Sequence, residues 1–317
     1  MSYTLVTGEP VSEAVRRVAG EQLDDAIDDL SDAISDDPTE AIHDARKRCK
    51  KVRGLVRAVR PALGDDVYRV ANDTARDAAR ELSDLRDATA LTETFRIVVE
   101  ASDLDLSGDD DTAVAARTVD HLLTERHLAA ASELAADHPR VERARDLLLA
   151  TRAESGGWDL DDQGWDALAG GIEKTYERGR SAFRTSAEAP TADNFHEWRK
   201  RVKYSWYHLR LVGDVAPTVL DPLADGFHDL ADALGDAHDM VVLSETLGSL
   251  GDDVCDLAPV ERLLGGYRSV LEQRSLALGA RLFAEPKSAF VERLGRYWSA
   301  NERFGPECDV GEIETLW

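Results

Sequence analysis

Cysteine is scarce in this chain. Its 317 residues hold three, Cys49, Cys255 and Cys308, too few and too scattered for a disulfide framework or a cysteine-based metal cluster. Cys49 falls at an apolar helix position and reads as a small core residue. No run of about 18 apolar residues occurs, so no membrane-spanning helix is expected. The opening residues, MSYTLVTGEP, lack the basic start and apolar centre of a secretory signal. These absences predict a cytoplasmic protein. β-Branched alternation is nearly missing, so no strand pair is expected. Lysine is the rarest charged residue, with only seven: Lys47, Lys50, Lys51, Lys174, Lys200, Lys203 and Lys287.

Acid is abundant instead. The chain carries 62 Asp and Glu against 38 Lys and Arg, a net charge of −24. Such a surface ordinarily repels nucleic acid, phosphate polymers and anionic membranes. Together with the low lysine count it resembles the acidic, halophilic surface of proteins from salt-loving organisms. Apolar residues at 43% fit a globular protein, and the length accommodates one large or two medium domains.

Apolar spacings of three and four predict helix almost throughout. Gly, Pro and Asp collect around 61–65, 102–111, 155–164, 213–217 and 248–259, which predicts breaks there. Among the expected helices are 11–34, 39–60, 66–87, 89–101, 192–212, 218–235, 238–249 and 258–283. The gap at 155–164 divides the chain into two similar halves, 1–156 and 157–303, followed by an irregular tail, 304–317.

The halves match in register. HDARKRCKKVRGLVR begins at His43 and HEWRKRVKYSWYHLR at His196, an offset of 153. His43 then meets His196, Arg46 meets Arg199, Lys47 meets Lys200, Lys50 meets Lys203 and Arg57 meets Arg210. The apolar positions Ile42, Ala45, Cys49, Val52, Val56 and Val59 meet Phe195, Trp198, Val202, Ser205, Leu209 and Val212. LSDLRDATAL from Leu82 meets LGDAHDMVVL from Leu234 at an offset of 152. A duplicated helical unit explains this pattern. The expected fold is all-α: two similar four-helix-bundle halves related by an internal pseudo-two-fold axis.

On a helix, His43, Arg46, Lys47, Lys50 and Arg57 fall within an arc of about 100°, and the apolar set takes another face. The basic stripe is about 21 Å long. Residues 43–60 hold eight Arg or Lys against Asp44 alone, and residues 196–210 hold five against Glu197. Each half therefore presents a cationic ridge, expected to be free of carboxylates on its own face, so that the ligand supplies the negative charge. Arg offers a planar fork for phosphate oxygens, and Lys a compact charge. His adds a donor that becomes cationic beside an anion. A row of these suits an extended phosphate polymer. At molar salt the Debye length is only about 3 Å, so binding there would rest on direct contacts.

The doubled His-x-x-Arg-Lys-x-x-Lys pattern resembles the CHAD family, named for its histidine-marked α-helical domain. Tyr176-Glu-Arg-Gly-Arg180 and the LGDAHD stretch from Leu234 are similar to that family's patterns as well. The resemblance covers roughly residues 10–300. It implies two four-helix bundles around a basic cavity and the binding of inorganic polyphosphate. It also implies a separate polyphosphate- or triphosphate-processing enzyme as partner, because members often accompany a triphosphate-tunnel hydrolase domain. That domain's Glu-x-Glu-x-Lys signature is not expected here: the nearest string, from Glu312, has Leu316 in place of the lysine. The family's arginine three residues after the motif lysine is kept as Arg53, while the second half has Trp206. The arginine of its Leu-Gly-x-x-Arg-Asp pattern is present as Arg86, while the second half has His238. The expected binding set is thus His43, Arg46, Lys47, Lys50, Arg53, Arg57, Arg86, His196, Arg199, Lys200, Lys203, Arg210 and His238, with the N-terminal ridge the stronger.

Alternatives stay open. A phosphate-polymer-processing enzyme would need carboxylates near the cations, and Asp87 and Asp239 are the candidates. An RNA-binding or scaffold protein would favour exposed basic patches with stacking aromatics. Nucleic acid is disfavoured by the acidic surface. No metal is expected at the histidines, because the positions four residues on are Lys47 and Lys200. No cofactor and no membrane contact are expected, and association with polyphosphate granules fits the first reading. Tyr176, Tyr204 and Tyr207 are either hydroxyl donors to phosphate or packing residues.

Overall fold

The computed structural model describes residues 3–132, 137–249 and 256–305, but not the side chains of 84–89 and 130–132. Arg86, Asp87, Cys255, Cys308, the string at Glu312 and most of the expected tail therefore lie outside the described residues.

Short-range signals start the helices. Asp37 accepts from the backbone amides of Thr39 and Glu40, with Pro38 in the first turn, and opens α2 (Pro38–Ala58). Thr191 caps α9 (Ala192–Leu211) by accepting from the Asn194 amide. Gly64, at φ +84°, separates the one-turn α3 (Arg60–Leu63) from α4 (Asp65–Glu81). The remaining helices are α1 (Val11–Ser31), α5 (Ser83–Ala101), α6 (Asp111–Ser132), α7 (Pro139–Ser155), α8 (Asp166–Glu188), α10 (Pro217–Gly248), α11 (Ala258–Leu282) and α12 (Lys287–Phe304). Two 3-10 turns follow α1 and α9. Among the described residues there is no strand.

Helices α1, α2, α4 and α7 pack as a closed ring of neighbours, and α8, α9, α10 and α11 form a second ring. The rings meet where α2 and α3 lie against α8 and α9. One contiguous core runs through both, from Tyr3 and Leu23 through Val52 to Trp198, Phe227 and Trp298. The apolar positions read from both motifs are all buried. A second core joins the α5–α6 pair to the far ends of α10 and α11, with Phe95, Val119 and Leu123 against Met240, Leu243 and Leu264. The N-terminal segment straps the junction: the Leu5 amide donates to the Leu211 carbonyl and the Tyr3 hydroxyl to the Lys51 carbonyl.

Two expected boundaries differ. Residues 217–248 form one helix, not two, because Gly235 and Asp236 do not interrupt α10. The break in the other half falls at Leu82, not near residue 88, because Leu82 is fully buried and fixes the corner between α4 and α5.

One glycine sets the seam between the rings. A methyl group on Gly171 of α8 would collide with the carbonyl oxygens of Arg57 and Ala58, where α2 ends. Only glycine permits that approach of two backbones.

Candidate anion-binding site

Helices α2 and α9 cross at Gly54, whose missing side chain admits the ring of Tyr207. Beside it the buried His208 donates from Nε2 to the Gly54 carbonyl, 3.0 Å away. Its Nδ1 has no partner among the described residues. Burial is the largest influence on this ring and pushes its pKa down to about 4. His208 is thus a neutral pin between the two helices.

At this crossing Lys50 and Arg53 of α2 and Arg199, Lys200 and Lys203 of α9 line one cleft of about 130 Å³, with Tyr204 and Tyr207 at its floor. Five cations from the expected set are therefore brought together. Arg57 stands at the edge: its guanidinium lies over the Tyr204 ring at 4.4 Å, and Arg53 lies over the same ring at 6.0 Å. Asn72 of α4, a buried amide, accepts from both, at 2.8 Å from Arg57 and 3.3 Å from Arg53. Sequence reasoning missed Asn72. Its signal was an asparagine among the apolar buried positions of α4, Tyr68, Ala71, Ala75 and Ala78.

Other expected residues sit elsewhere. Arg46 donates to the Ala79 carbonyl of α4. Arg199, although it lines the cleft, also reaches across α10 at Gly235, where an added methyl would come within 3.1 Å of its guanidinium. His196 and His238 face each other with ring centres 4.2 Å apart. Burial, then His238, Lys200 and Arg199, hold His196 down at about 4. Burial, then Arg199 and Lys200, lower His238. Both rings are accordingly neutral near pH 7 without an anion. Arg210 turns to the Trp206 ring, 5.5 Å away, and towards Lys51. His43 is exposed and, like Lys47 and Arg210, does not line the cleft.

The ridges are not free of carboxylates, contrary to the expectation from sequence. Lys47 pairs with Asp44 at 3.5 Å and Lys200 with Glu197 at 2.5 Å. Both acids lie three residues before their lysine, which places them on the same helix face. Such exposed pairs are worth under about 1 kcal/mol and yield readily to a better anion. Half-buried Asp236 on α10, its carboxyl raised by burial and then by Asp239 and Asp232, lies near Arg199 and Lys203 and adds acid to the C-terminal wall.

Of the three tyrosines, Tyr176 is a packing residue: buried, stacked on Phe290 and donating to the carbonyls of Leu282 and Glu285. Tyr204 and Tyr207 do border the cleft.

Fold and site together define an all-helical protein in which two basic helices cross at a cation-lined cleft. The chain belongs to the CHAD family, whose domain model matches residues 17–248. It is also similar in structure to PptA from Streptomyces chartreusis, with a TM-score of 0.58 and 14% identity over 92% of this chain and 100% of that one. At that identity the likeness bears on the fold alone. No curated protein matches the chain. Among the described residues no helix is long and apolar enough to cross a membrane.

Proposed function

We propose that this protein binds inorganic polyphosphate, without catalysing a reaction on it, in a basic cavity shared by its two halves. The observation that carries the reading is the convergence of Lys50, Arg53, Arg199, Lys200 and Lys203 on one cleft in a chain of net charge −24. Five fixed positive charges in so small a space repel one another, and an anion with regularly spaced charges relieves that repulsion. Arg forks and Lys ammonium groups match phosphate oxygens in geometry and charge. Membership of the CHAD family supports the same ligand class.

The halves, 1–156 and 157–303, are read as duplicates about a pseudo-two-fold axis through the α2–α9 crossing. Supporting this, five of the buried positions of α1 (Val15, Ala19, Gln22, Leu23 and Ala26) recur in α8 at the same offset of 153, as Leu168, Ile172, Thr175, Tyr176 and Gly179. Gly54 and Tyr207, which touch, are related by that offset too. A cytoplasmic role beside a separate polyphosphate- or triphosphate-processing enzyme, or on polyphosphate granules, follows from a binding function. The acidic exterior confines attraction to the cleft and disfavours bulky nucleic acid.

Titration calorimetry tests the reading. The native chain is expected to bind polyphosphate, and Lys50→Ala with Lys203→Ala to weaken binding at least about tenfold while the circular dichroism stays unchanged. Native binding that this folded double variant retains in full would sink the assignment of the cleft.

A further inference from the structure

A second cationic pocket adjoins the cleft at Arg57. Its volume is about 200 Å³, and Arg57, Arg60, Tyr68, Lys174 and Arg178 line it, with Asp65 at the rim. Arg57 links the two: its guanidinium lies between the Tyr204 ring of the cleft and the Tyr68 ring of the second pocket, 4.4 and 5.7 Å from their centres. Arg60 continues the series over Tyr68 at 4.4 Å and holds Asp65 at 2.8 Å. Lys174 and Arg178 are exposed on α8 and have no hydrogen-bond or ion-pair partner among the described residues. Burial and then the charges of Arg201 and Arg57 hold the Arg178 guanidinium below its usual range. Arg178 also borders a shallower cleft with Arg201, Thr185, Asn194 and Glu197, the last of which pairs with Arg201 and Lys200.

The register between the halves shows what stands at the matching place on the other side. At the offset of 153, Arg57 matches Arg210, but Arg60 matches Gly213, Lys174 matches Glu21 and Arg178 matches Asp25. Those acids engage neighbouring arginines. Asp25 and Asp29 hold Arg48 at 2.6 and 2.7 Å, and Glu21 and Glu9 hold Arg17 at 3.4 and 2.7 Å. One exit from the crossing carries Arg57, Arg60, Lys174 and Arg178 against the single acid Asp65, and the other carries Glu9, Glu21, Asp25 and Asp29 against Arg17 and Arg48.

We infer that a polyphosphate chain longer than the central cleft leaves it in one direction only, over Arg57 into a second phosphate subsite formed by Arg60, Tyr68, Lys174 and Arg178. This rests on the polyphosphate reading above and adds direction and length dependence to it. A short oligophosphate fills the central cleft alone. A longer chain gains the contacts on α3 and α8, and Glu21 and Asp25 turn it away from the opposite exit.

Calorimetric titrations with tripolyphosphate and with long-chain polyphosphate separate the possibilities. They would use the native chain, a Lys174→Glu/Arg178→Glu variant that copies the acidic side, and an Arg281→Glu/Arg296→Glu control of equal charge change on α11 and α12. The α8 variant is expected to lose about tenfold or more of the long-chain affinity and to keep its tripolyphosphate affinity within about twofold. The control should keep both affinities. Undiminished long-chain binding by the α8 variant, or an equal loss in the control, overturns the second subsite while leaving the central cleft standing. A native chain that binds neither ligand overturns the polyphosphate reading itself, and the subsite with it.

Discussion

His208 illustrates how much a single side chain does at the α2–α9 crossing. It sits two residues after Trp206 in a motif that reads as a string of cations and aromatics, yet it faces inward and bonds across to Gly54. Its folded pKa of about 4 lies below the ordinary value of 6.5. The unfolded chain therefore takes up the proton first as pH falls. The contribution of the neutral ring is fully present above about pH 6.5 and is lost progressively towards pH 4. Replacing it as His208→Gln removes that dependence. The stability difference between native and variant, from urea denaturation, is expected to be largest near pH 7 and to shrink by on the order of 2 kcal/mol by pH 5. A difference that stays constant over that range would contradict the neutral pin. His196 follows the same sign, its ring lying against His238 beside Lys200 and Arg199, so an anion held by those two cations would raise its pKa.

At the scale of elements, the basic helices were legible because both requirements act along one helix. The 3.6-residue period sorts apolar from cationic side chains, and the duplication repeats the sorting. The inward positions of α2 and α9 are buried as their spacing required. The span of α10 was less legible, since Gly235 signals a break in one dimension while in three it makes room for Arg199. The ion pairs Lys47–Asp44 and Lys200–Glu197 were legible in the i, i+3 spacing of acid and lysine on each motif helix. The role of Asn72 depends on a partner helix and was beyond any reading of α2 alone. Helix placement also rests on contacts with no local signal, as at Gly171. Gly171→Ala should push α8 away from the end of α2 at a cost of about 1–3 kcal/mol, the usual range for overpacking, despite alanine's better helix propensity. Thermal denaturation reads this directly. A variant as stable as the native chain would mean that the seam tolerates a side chain.

For the whole molecule, charge is the organising quantity. A net charge of −24 works against compactness through self-repulsion and keeps anions at a distance. The same chain gathers most of its few lysines on α2 and α9 and folds them towards each other, so the repulsion is reversed at one place. Composition alone could not show that the two ridges meet, because it says nothing of how the rings dock. The crossing at Gly54 and Tyr207 decides it. Nor could it show that Arg210 departs from the cleft, since Trp206 stands where the first half has Arg53 and draws Arg210 to its ring. The central claim is that the anion lies in this crossing, and crystals grown with polyphosphate test it most directly. Phosphate density between α2 and α9, within hydrogen-bond distance of Lys50, Arg53, Arg199 and Lys203, is the predicted result. An ordered phosphate chain bound elsewhere on the surface, with the cleft holding only water, would contradict it.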